Sequence, residues 1–357
     1  MIHLSKLEQL RGSLQEKQLD AILITSPINR RYITNFTGTA GVALVTQSDA
    51  VFITDFRYTE QATEQIKDFT IVEHTNPIHK EVFQQLKDLN VEKLGFEQNH
   101  VTYAEYTLYK ETFKDIQLHA VSNIIENLRL IKSEEEIKVV EKAAEIADQA
   151  FEHIKSYIKE GVKEIDVANE LEFYMRKLGA TSSSFDIIVA SGERSALPHG
   201  VASEKVIQAG ELVTMDYGAL YNGYCSDITR TVAVGEISEQ LQEIYDIVLT
   251  AQKIGVEKIK PGMTGKEADA LTRDYITDRG YGEYFGHSTG HGLGMEVHEG
   301  PGLSHRSDVK LQPGMIVTVE PGIYIPDVGG CRIEDDIVIT EDGNRRLTKS
   351  DKELIVL

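Results

Sequence analysis

Two stretches of this 357-residue chain repeat one another. Gln208-Ala-Gly-Glu-Leu-Val-Thr-Met-Asp216-Tyr-Gly218 and Gln312-Pro-Gly-Met-Ile-Val-Thr-Val-Glu320-Pro-Gly322 share Gln, Gly, Val, Thr and the final Gly in register, with Asp216 opposite Glu320. A duplicated unit folded about a pseudo-two-fold axis sets equivalent carboxylates facing one another, and repeated halves commonly build a site at their junction. Chance similarity of two glycine-bounded strands is the alternative.

The first copy runs into a hairpin. Asn222-Gly223 between Leu212-Val213-Thr214-Met215 and Tyr224-Cys225-Ser226-Asp227 is a strong two-residue turn signal. A turn at 222–223 pairs Asp216 with Thr229 and sets Asp227 two residues along on the same face. Diagonal neighbours of that kind lie about 7–8 Å apart, near enough for two carboxylates to share metal ions. A solvated hairpin carrying two surface aspartates is the competing reading. The second copy turns through Pro321, Pro326 and Gly329-Gly330 into Arg332-Ile333-Glu334-Asp335-Asp336, which delivers Glu334.

Asp216, Asp227, His291, Glu320 and Glu334 are thus five residues suited to divalent ions. Four hard carboxylates and one imidazole fit manganese, with cobalt or zinc as alternatives, and bridging carboxylates would hold two ions about 3.5–4 Å apart.

Upstream, Ser133-Glu-Glu-Glu136 reads as a capping box, followed by a stripe at Ile137, Val140, Ala144, Ala147, Phe151, Ile154 and Ile158 closed by Gly161. The outer glutamates and lysines of that helix read as a solvated face. Helical stretches at 238–260 and 266–279 precede the second repeat, so each half reads as two helices and a strand ribbon. The first 120 or so residues alternate strand-like runs at 21–24, 42–45, 51–54 and 70–72 with helical stretches near 4–17, 57–67 and 79–90, a small sheet layered with helices. The expected fold is α/β in two domains: a small amino-terminal α/β domain over 1–125, and over 126–357 a duplicated α-α-β domain with helices outside a curved antiparallel sheet.

Several motifs in order carry a resemblance over nearly the whole chain: Val213-Thr-Met-Asp216-Tyr-Gly, Ser226-Asp227-Ile-Thr-Arg, Gly286-His287-Ser-Thr-Gly290-His291-Gly-Leu-Gly, Val297-His298-Glu, Thr318-Val-Glu320-Pro-Gly and Arg332-Ile333-Glu334-Asp. They resemble the Xaa-Pro peptidases, aminopeptidase P and prolidase, with the pita-bread fold and a creatinase-like amino-terminal domain. The resemblance implies that Asp216 chelates one metal, that Asp227 and Glu334 bridge, and that His291 and Glu320 complete the second. It makes Glu320 also the general base, assigns His199 and His298 to the scissile carbonyl and oxyanion, and makes Arg332 a partner of a ligand carboxylate. Proline-containing peptides as substrates and a homodimer follow from the same likeness.

The histidines differ in context. His199, in Pro198-His-Gly200, lies in a loop that can face a cleft or only solvent. His287 and His291 are spaced for a helical metal pair, but Gly286, Gly290, Gly292 and Gly294 disfavour a helix, so His291 reads as the ligand and His287 as a group behind it or facing substrate. His298 sits in a strand-like stretch, Met295-Glu-Val-His-Glu, where a satisfied half-buried histidine is the alternative. Cys225 and Cys331 flank proposed ligands; small buried residues are the commoner use, and thiolate ligation by Cys225 stays open. Asp55, Arg57 and Tyr58 read as structural or cap-forming, with a place beside a neighbour's active site as the alternative.

A net charge of −20 argues against nucleic acid or an anionic membrane as partner. The start shows no secretory apolar core and no stretch is long enough to span a bilayer, so the expectation is cytoplasmic. A metal-free binding relative and a methionine aminopeptidase are the competing functions. The first has no use for four mutually repelling carboxylates, and the second generally lacks so large an amino-terminal domain. Prolidase-like relatives tend to carry an arginine shortly after the His298 position; here glycine stands there, in His298-Glu-Gly-Pro-Gly302-Leu-Ser-His-Arg306. The reading therefore leans to aminopeptidase P, with Xaa-Pro dipeptidase as the alternative.

Overall fold

The computed structural model describes residues 5–357; residues 1–4, which include part of the start read above and the first residue of the helix expected from 4, lie outside it. Two compact units divide between Arg129 and Leu130. The first runs α1 (Lys6–Glu16), β1 (Ala21–Ile24), α2 (Pro27–Thr34), β2 (Val42–Thr46), β3 (Ala50–Thr54), α3 (Thr59–Gln65), β4 (Thr70–Glu73), α4 (Ile78–Asp88), β5 (Lys93–Glu97), α5 (Tyr103–Thr112), β6 (Gln117–Val121) and α6 (Ile124–Arg129). Its strands form one mixed sheet in the order β4-β3-β2-β1-β5-β6. Leu23, Leu44, Ile53, Leu86 and Leu94 are fully or almost fully buried on one side of it, each worth about 1.5–3 kcal/mol. Glu97 closes β5 and accepts the Thr25 and Ser26 amides at 2.6 and 2.8 Å and Asn29 Nδ2 at 2.8 Å, fixing the turn into α2. Asp55 braces its turn through the Arg57 guanidinium, at 2.8 Å on both oxygens, but Tyr58 takes the N-cap position of α3 and no side chain caps it. The cap-forming reading of that stretch is corrected accordingly.

The second unit has the duplicated order. α7 (Glu134–Ile154) and α8 (Glu164–Lys177) precede β7 (Ser182–Ser183), β8 (Ile188–Ser191), β9 (Glu211–Tyr217), β10 (Ala219–Tyr221), β11 (Tyr224–Cys225) and β12 (Ile228–Val234). α9 (Glu239–Lys258) and α10 (Gly265–Asp278) then precede β13 (Gly290–Gly292), β14 (Glu299–Leu303), β15 (Ile316–Val319), β16 (Gly322–Ile325), β17 (Gly329–Arg332), β18 (Asp335–Ile339) and β19 (Asn344–Arg346). β9 lies between β12 and β8, and β15 between β13 and β18. The glycine shared by the two repeats does the same work in each: Gly210 and Gly314 turn into their strands at φ 86° and 88°, a region that costs a side chain strain.

The capping box at Ser133 forms, and all seven stripe residues of that helix are buried. The helix stops at Ile154, short of the expected Gly161, and Ile158 reaches the core from the turn beyond. Its outer face is not all solvated, since Glu136 is buried and accepts Tyr224 Oη at 2.6 Å. The hairpin has the expected register, with Tyr221 opposite Tyr224 and Asp216 opposite Thr229.

Beneath the strands lies a buried charge network. Asp335 accepts Arg230 Nη2 at 2.8 Å, Lys352 Nζ at 2.5 Å, Gln252 Nε2 at 2.9 Å and Thr348 Oγ1 at 2.9 Å, while Arg230 also donates to the carbonyls of Thr229, Glu334, Ser350 and Asp351. The network ties both repeats and the chain end together. Asp335→Ala strands two buried cations and is expected to cost about 3–5 kcal/mol in denaturant unfolding. Glu145→Ala, which breaks only exposed contacts with Lys142 and Gln149, is expected to change it by less than about 0.5 kcal/mol.

Candidate metal centre

The two repeats bring the predicted donors to one place by different local means. Asp216 lies within β9, where the ladder continues through Tyr217 opposite Ile228. Glu320 is one residue past β15, because Pro321 has no N–H with which to extend the pairing. Asp227 sits between β11 and β12, its amide donating to Asp336 Oδ2 at 2.9 Å. Glu334 occupies the gap between β17 and β18, its amide donating to the Thr229 carbonyl at 3.1 Å. Asp227 and Glu334 are each fastened by backbone to the opposite repeat.

His291 is centred in β13, and the glycines around it are required by crowding. A Cβ on Gly290 would lie 2.0 Å from the Thr318 carbonyl oxygen, and one on Gly292 2.0 Å from that of Gly300. No helix forms there, as the glycine spacing implied. The Gly292 carbonyl, 3.1 Å from Nδ1, fixes the proton on that nitrogen, so Nε2 is the atom turned to the carboxylates, 3.2 Å from Glu320 and 3.7 Å from Asp227. One ligand atom from each of Asp227, His291 and Glu334 falls within 4.8 Å of the others. Asp216 and Glu320 line the same cavity of about 570 Å³, together with His199, His287, His298 and Arg332.

The electrostatics are those of crowded anions. Burial, then Glu334 and Asp216, hold the Asp227 carboxyl well above the usual range; burial, then Glu320 and Asp216, do the same to Glu334. Burial works against both charges of the His291–Glu320 pair, but their hydrogen bond prevails, raising the imidazole and holding Glu320 down at about 2. Asp216 Oδ1 and Asp227 Oδ1 are buried with no hydrogen-bond partner. Unmet anionic acceptors packed together are what hard cations satisfy, so this donor set fits a pair of divalent ions.

The supporting groups are equally specific. Arg332 Nη2 meets Asp216 Oδ2 at 2.5 Å, and its Nε lies 3.2 Å from Thr229 Oγ1, which itself donates to Glu334 Oε2 at 2.7 Å. Thr318 Oγ1 donates to Glu320 at 3.1 Å. His287 is not at the carboxylates: Nδ1 faces the Ser288 carbonyl and Nε2 the Tyr324 hydroxyl, both at 2.8 Å, and burial keeps the ring neutral. His298 belongs to a bend before β14 and not to a strand, correcting the alternating reading; its ring centroid is 4.3 Å from that of His291. His199 is exposed in its turn and faces the cavity. Cys225 and Cys331 are free and buried, burial pushes both thiols up to about 12, and neither lines the cavity, Cys225 Sγ facing the Met295 carbonyl at 3.9 Å instead.

Thr229, Thr318, Tyr324 and Asp336 escaped the sequence reading. Asp336 and Thr318 carry a signal, since each lies two residues from a proposed ligand, Glu334 or Glu320, and so on the same side of an extended segment. Thr229 and Tyr324 are hydroxyls whose partners lie more than 100 residues away or across a turn.

No helix among the described residues is long and apolar enough to cross a membrane. Residues 138–341 match metallopeptidase family M24, and residues 6–131 match the creatinase/prolidase N-terminal domain. The fold superimposes on an Xaa-Pro dipeptidase from Bacillus anthracis with a TM-score of 0.97 and 63% identity, over 99% of each chain. It also superimposes on an X-Pro aminopeptidase from Thermotoga maritima with a TM-score of 0.92 and 38% identity, over 97% of this chain and 100% of the other. An Xaa-Pro dipeptidase of Pyrococcus furiosus is 44% identical over 98% of this chain and 99% of its own. The two-part architecture expected from sequence is the one these relatives share, and the chain belongs to the M24 metallopeptidases that carry a creatinase-type amino-terminal domain.

Proposed function

We propose that this chain is a two-metal Xaa-Pro peptidase acting chiefly as a dipeptidase. The observation that carries the reading is the convergence of Asp216, Asp227, His291, Glu320 and Glu334, two of them with unmet carboxylate oxygens, on a cavity walled by Phe185, Ile188, Val201 and Val297. The apolar wall suits a pyrrolidine ring, and about 570 Å³ suits a short peptide. The sequence reading ranked aminopeptidase P first; the relatives named above favour the dipeptidase alternative, two being called Xaa-Pro dipeptidase and one X-Pro aminopeptidase. Gly302, in the place where an arginine was expected, is the observation that keeps longer peptides as a second reading.

In this proposal Asp216, Asp227, His291, Glu320 and Glu334 would hold the ions. Manganese is the first candidate, since oxygen donors dominate, ahead of cobalt or zinc. Bound there, such ions acidify a water and polarise a carbonyl. Glu320, a carboxylate lining the cavity, is the proton acceptor for the attacking water and returns the proton to the departing proline nitrogen. His298, kept neutral by burial and by its proximity to His291, offers an N–H to the scissile carbonyl. His199 supplies a second from the opposite loop, and Arg332 steadies Asp216 so that its free oxygen stays turned to the ions.

Chelation should abolish hydrolysis of Xaa-Pro, added manganese should restore it, and the stripped protein should melt roughly 5–10 °C lower, because the ions bind only the folded chain. Full turnover of a sample shown metal-free by elemental analysis overturns the mechanism. Glu320→Gln is expected to lower kcat by about 10²–10⁴ with a small change in KM, and steady-state kinetics on the metal-loaded variant decide whether it is the base.

His291→Ala should lose metal. His199→Ala and His298→Ala should keep metal near the wild-type level while kcat/KM falls by about 10²–10³, the cost of removing one donor to a developing oxyanion. Metal quantitation across the three variants checks the division of roles, and metal loss from either of the last two reverses it.

A further inference from the structure

The two repeats start their second helices alike but for one residue. Gly161-Val-Lys-Glu164 leads into α8 and Gly262-Met-Thr-Gly265 into α10. Each start is docked by two backbone bonds. The amides of Glu164 and Ile165 donate to the Lys205 and Ser203 carbonyls at 3.0 and 2.9 Å, and those of Gly265 and Lys266 to the Val309 and Ser307 carbonyls at 3.0 and 2.8 Å. These acceptors are equivalent positions in the repeats that align Gln208 with Gln312. The second repeat shows that such a start needs no buried carboxylate, since Gly265 has no side chain and the capping box of Thr264 and Glu267 completes it. In the first repeat Glu164 takes that place, fully buried, and caps nothing in its own helix.

Its carboxylate gathers the segment that carries His199. Oε1 accepts the Ser191 amide at 2.8 Å and Ser191 Oγ at 2.9 Å, where the chain leaves β8. Oε2 accepts Ser203 Oγ at 2.6 Å and the Ser203 amide at 3.2 Å, where the chain returns. Between these ends, the Arg194 guanidinium spans Glu164 Oε2, at 2.5 Å, and the Val201 carbonyl, at 3.0 Å. The second repeat holds two further points: the Gly330 amide donates to Ser195 Oγ at 2.8 Å, and Arg332 Nη1 to the Pro198 carbonyl at 3.2 Å. The His199 ring has no hydrogen-bond partner among the described residues, so its place at the cavity follows from that of its backbone.

We propose that Glu164 is a positioning residue for His199. It does not line the cavity; it clamps both ends of the 191–203 excursion so that the imidazole meets the scissile carbonyl. This rests on the Xaa-Pro peptidase reading, in which His199 donates to that carbonyl. Misplacing a reacting group by about 1 Å costs on the order of 10²-fold in rate, so a clamp outside the cavity has leverage on the chemistry.

Steady-state kinetics on Ala-Pro and metal quantitation test it, on manganese-loaded wild type, Glu164→Gln, His199→Ala and the double variant. Glutamine keeps one oxygen for Ser191 but sets an amide group against Arg194 and the Ser203 donors, loosening the return of the loop without removing side-chain volume. Glu164→Gln alone should lower kcat about 10- to 100-fold, with KM within about threefold and metal content near wild type. In the His199→Ala background the same change should lower kcat by less than about twofold, because no imidazole is left to misplace. Arg194→Ala, at the partly exposed end of the clamp, should show a smaller loss with the same dependence on His199, and it carries the cycle alone if Glu164→Gln does not fold. Equal losses in both backgrounds, loss of metal, or unchanged kcat in the single variants overturn the assignment while leaving the peptidase reading intact. His199→Ala with wild-type kcat/KM removes the role of the imidazole and the proposal with it. Wild-type enzyme that does not cleave Ala-Pro refutes the peptidase reading itself, and the proposal with it.

Discussion

Four carboxylates share one buried recess, and the rest of the catalytic unit is arranged to tolerate them. Two like charges about 4 Å apart repel by roughly 4 kcal/mol at the effective dielectric of a protein surface, and burial sharpens this. Such groups cannot be left on flexible loops, where they would swing apart into water. Here Asp227 and Glu334 are tethered by their own amides to the opposite repeat, and Asp216 stands inside a strand paired on both sides. Repulsion is thereby converted into a standing demand for cations, read in the raised carboxyls of Asp227 and Glu334 and the unmet oxygens of Asp216 and Asp227.

Cations supplied by the chain itself are kept to positions where they brace the carboxylates without filling the site. Arg332 covers one oxygen of Asp216 and leaves the other open. Arg230 and Lys352 lie one layer deeper on Asp335, adjacent in sequence to both Glu334 and Asp336 yet facing away from them. The Glu334-Asp335-Asp336 run is therefore divided by strand alternation: the middle residue is neutralised from below and its neighbours face the cavity side. Stability and site are coupled through three consecutive residues, and a change at Asp335 would be felt on both faces.

What could be read from sequence follows the range over which each constraint acts. The hairpin register, the capping box at Ser133 and the absence of a helix around His291 are local, set by Asn222-Gly223, by a serine with a glutamate three residues on, and by four glycines. The convergence of five donors was legible because the repeat doubles a short motif, and the family resemblance reinforced it. The end of α7 was misjudged because Ile158 stays buried after the helix has ended, so its periodicity runs past the hydrogen bonding. His298 was read as a strand residue from alternation alone, yet it precedes β14 in a bend that aims it beside His291. Thr229 and Tyr324 leave no signal, since the value of these hydroxyls depends on the partners that tertiary structure brings.

The charge order along the cavity bears on what can lie in it. Acids gather at the proposed metal site, Phe185, Ile188, Val201 and Val297 supply apolar wall, and His287, Ser288 and Ser304 are shared with a neighbouring recess. On the proposed peptidase reading, the cationic amino end of a peptide suits the acids and a proline ring the apolar wall, so the lining itself favours one direction of binding.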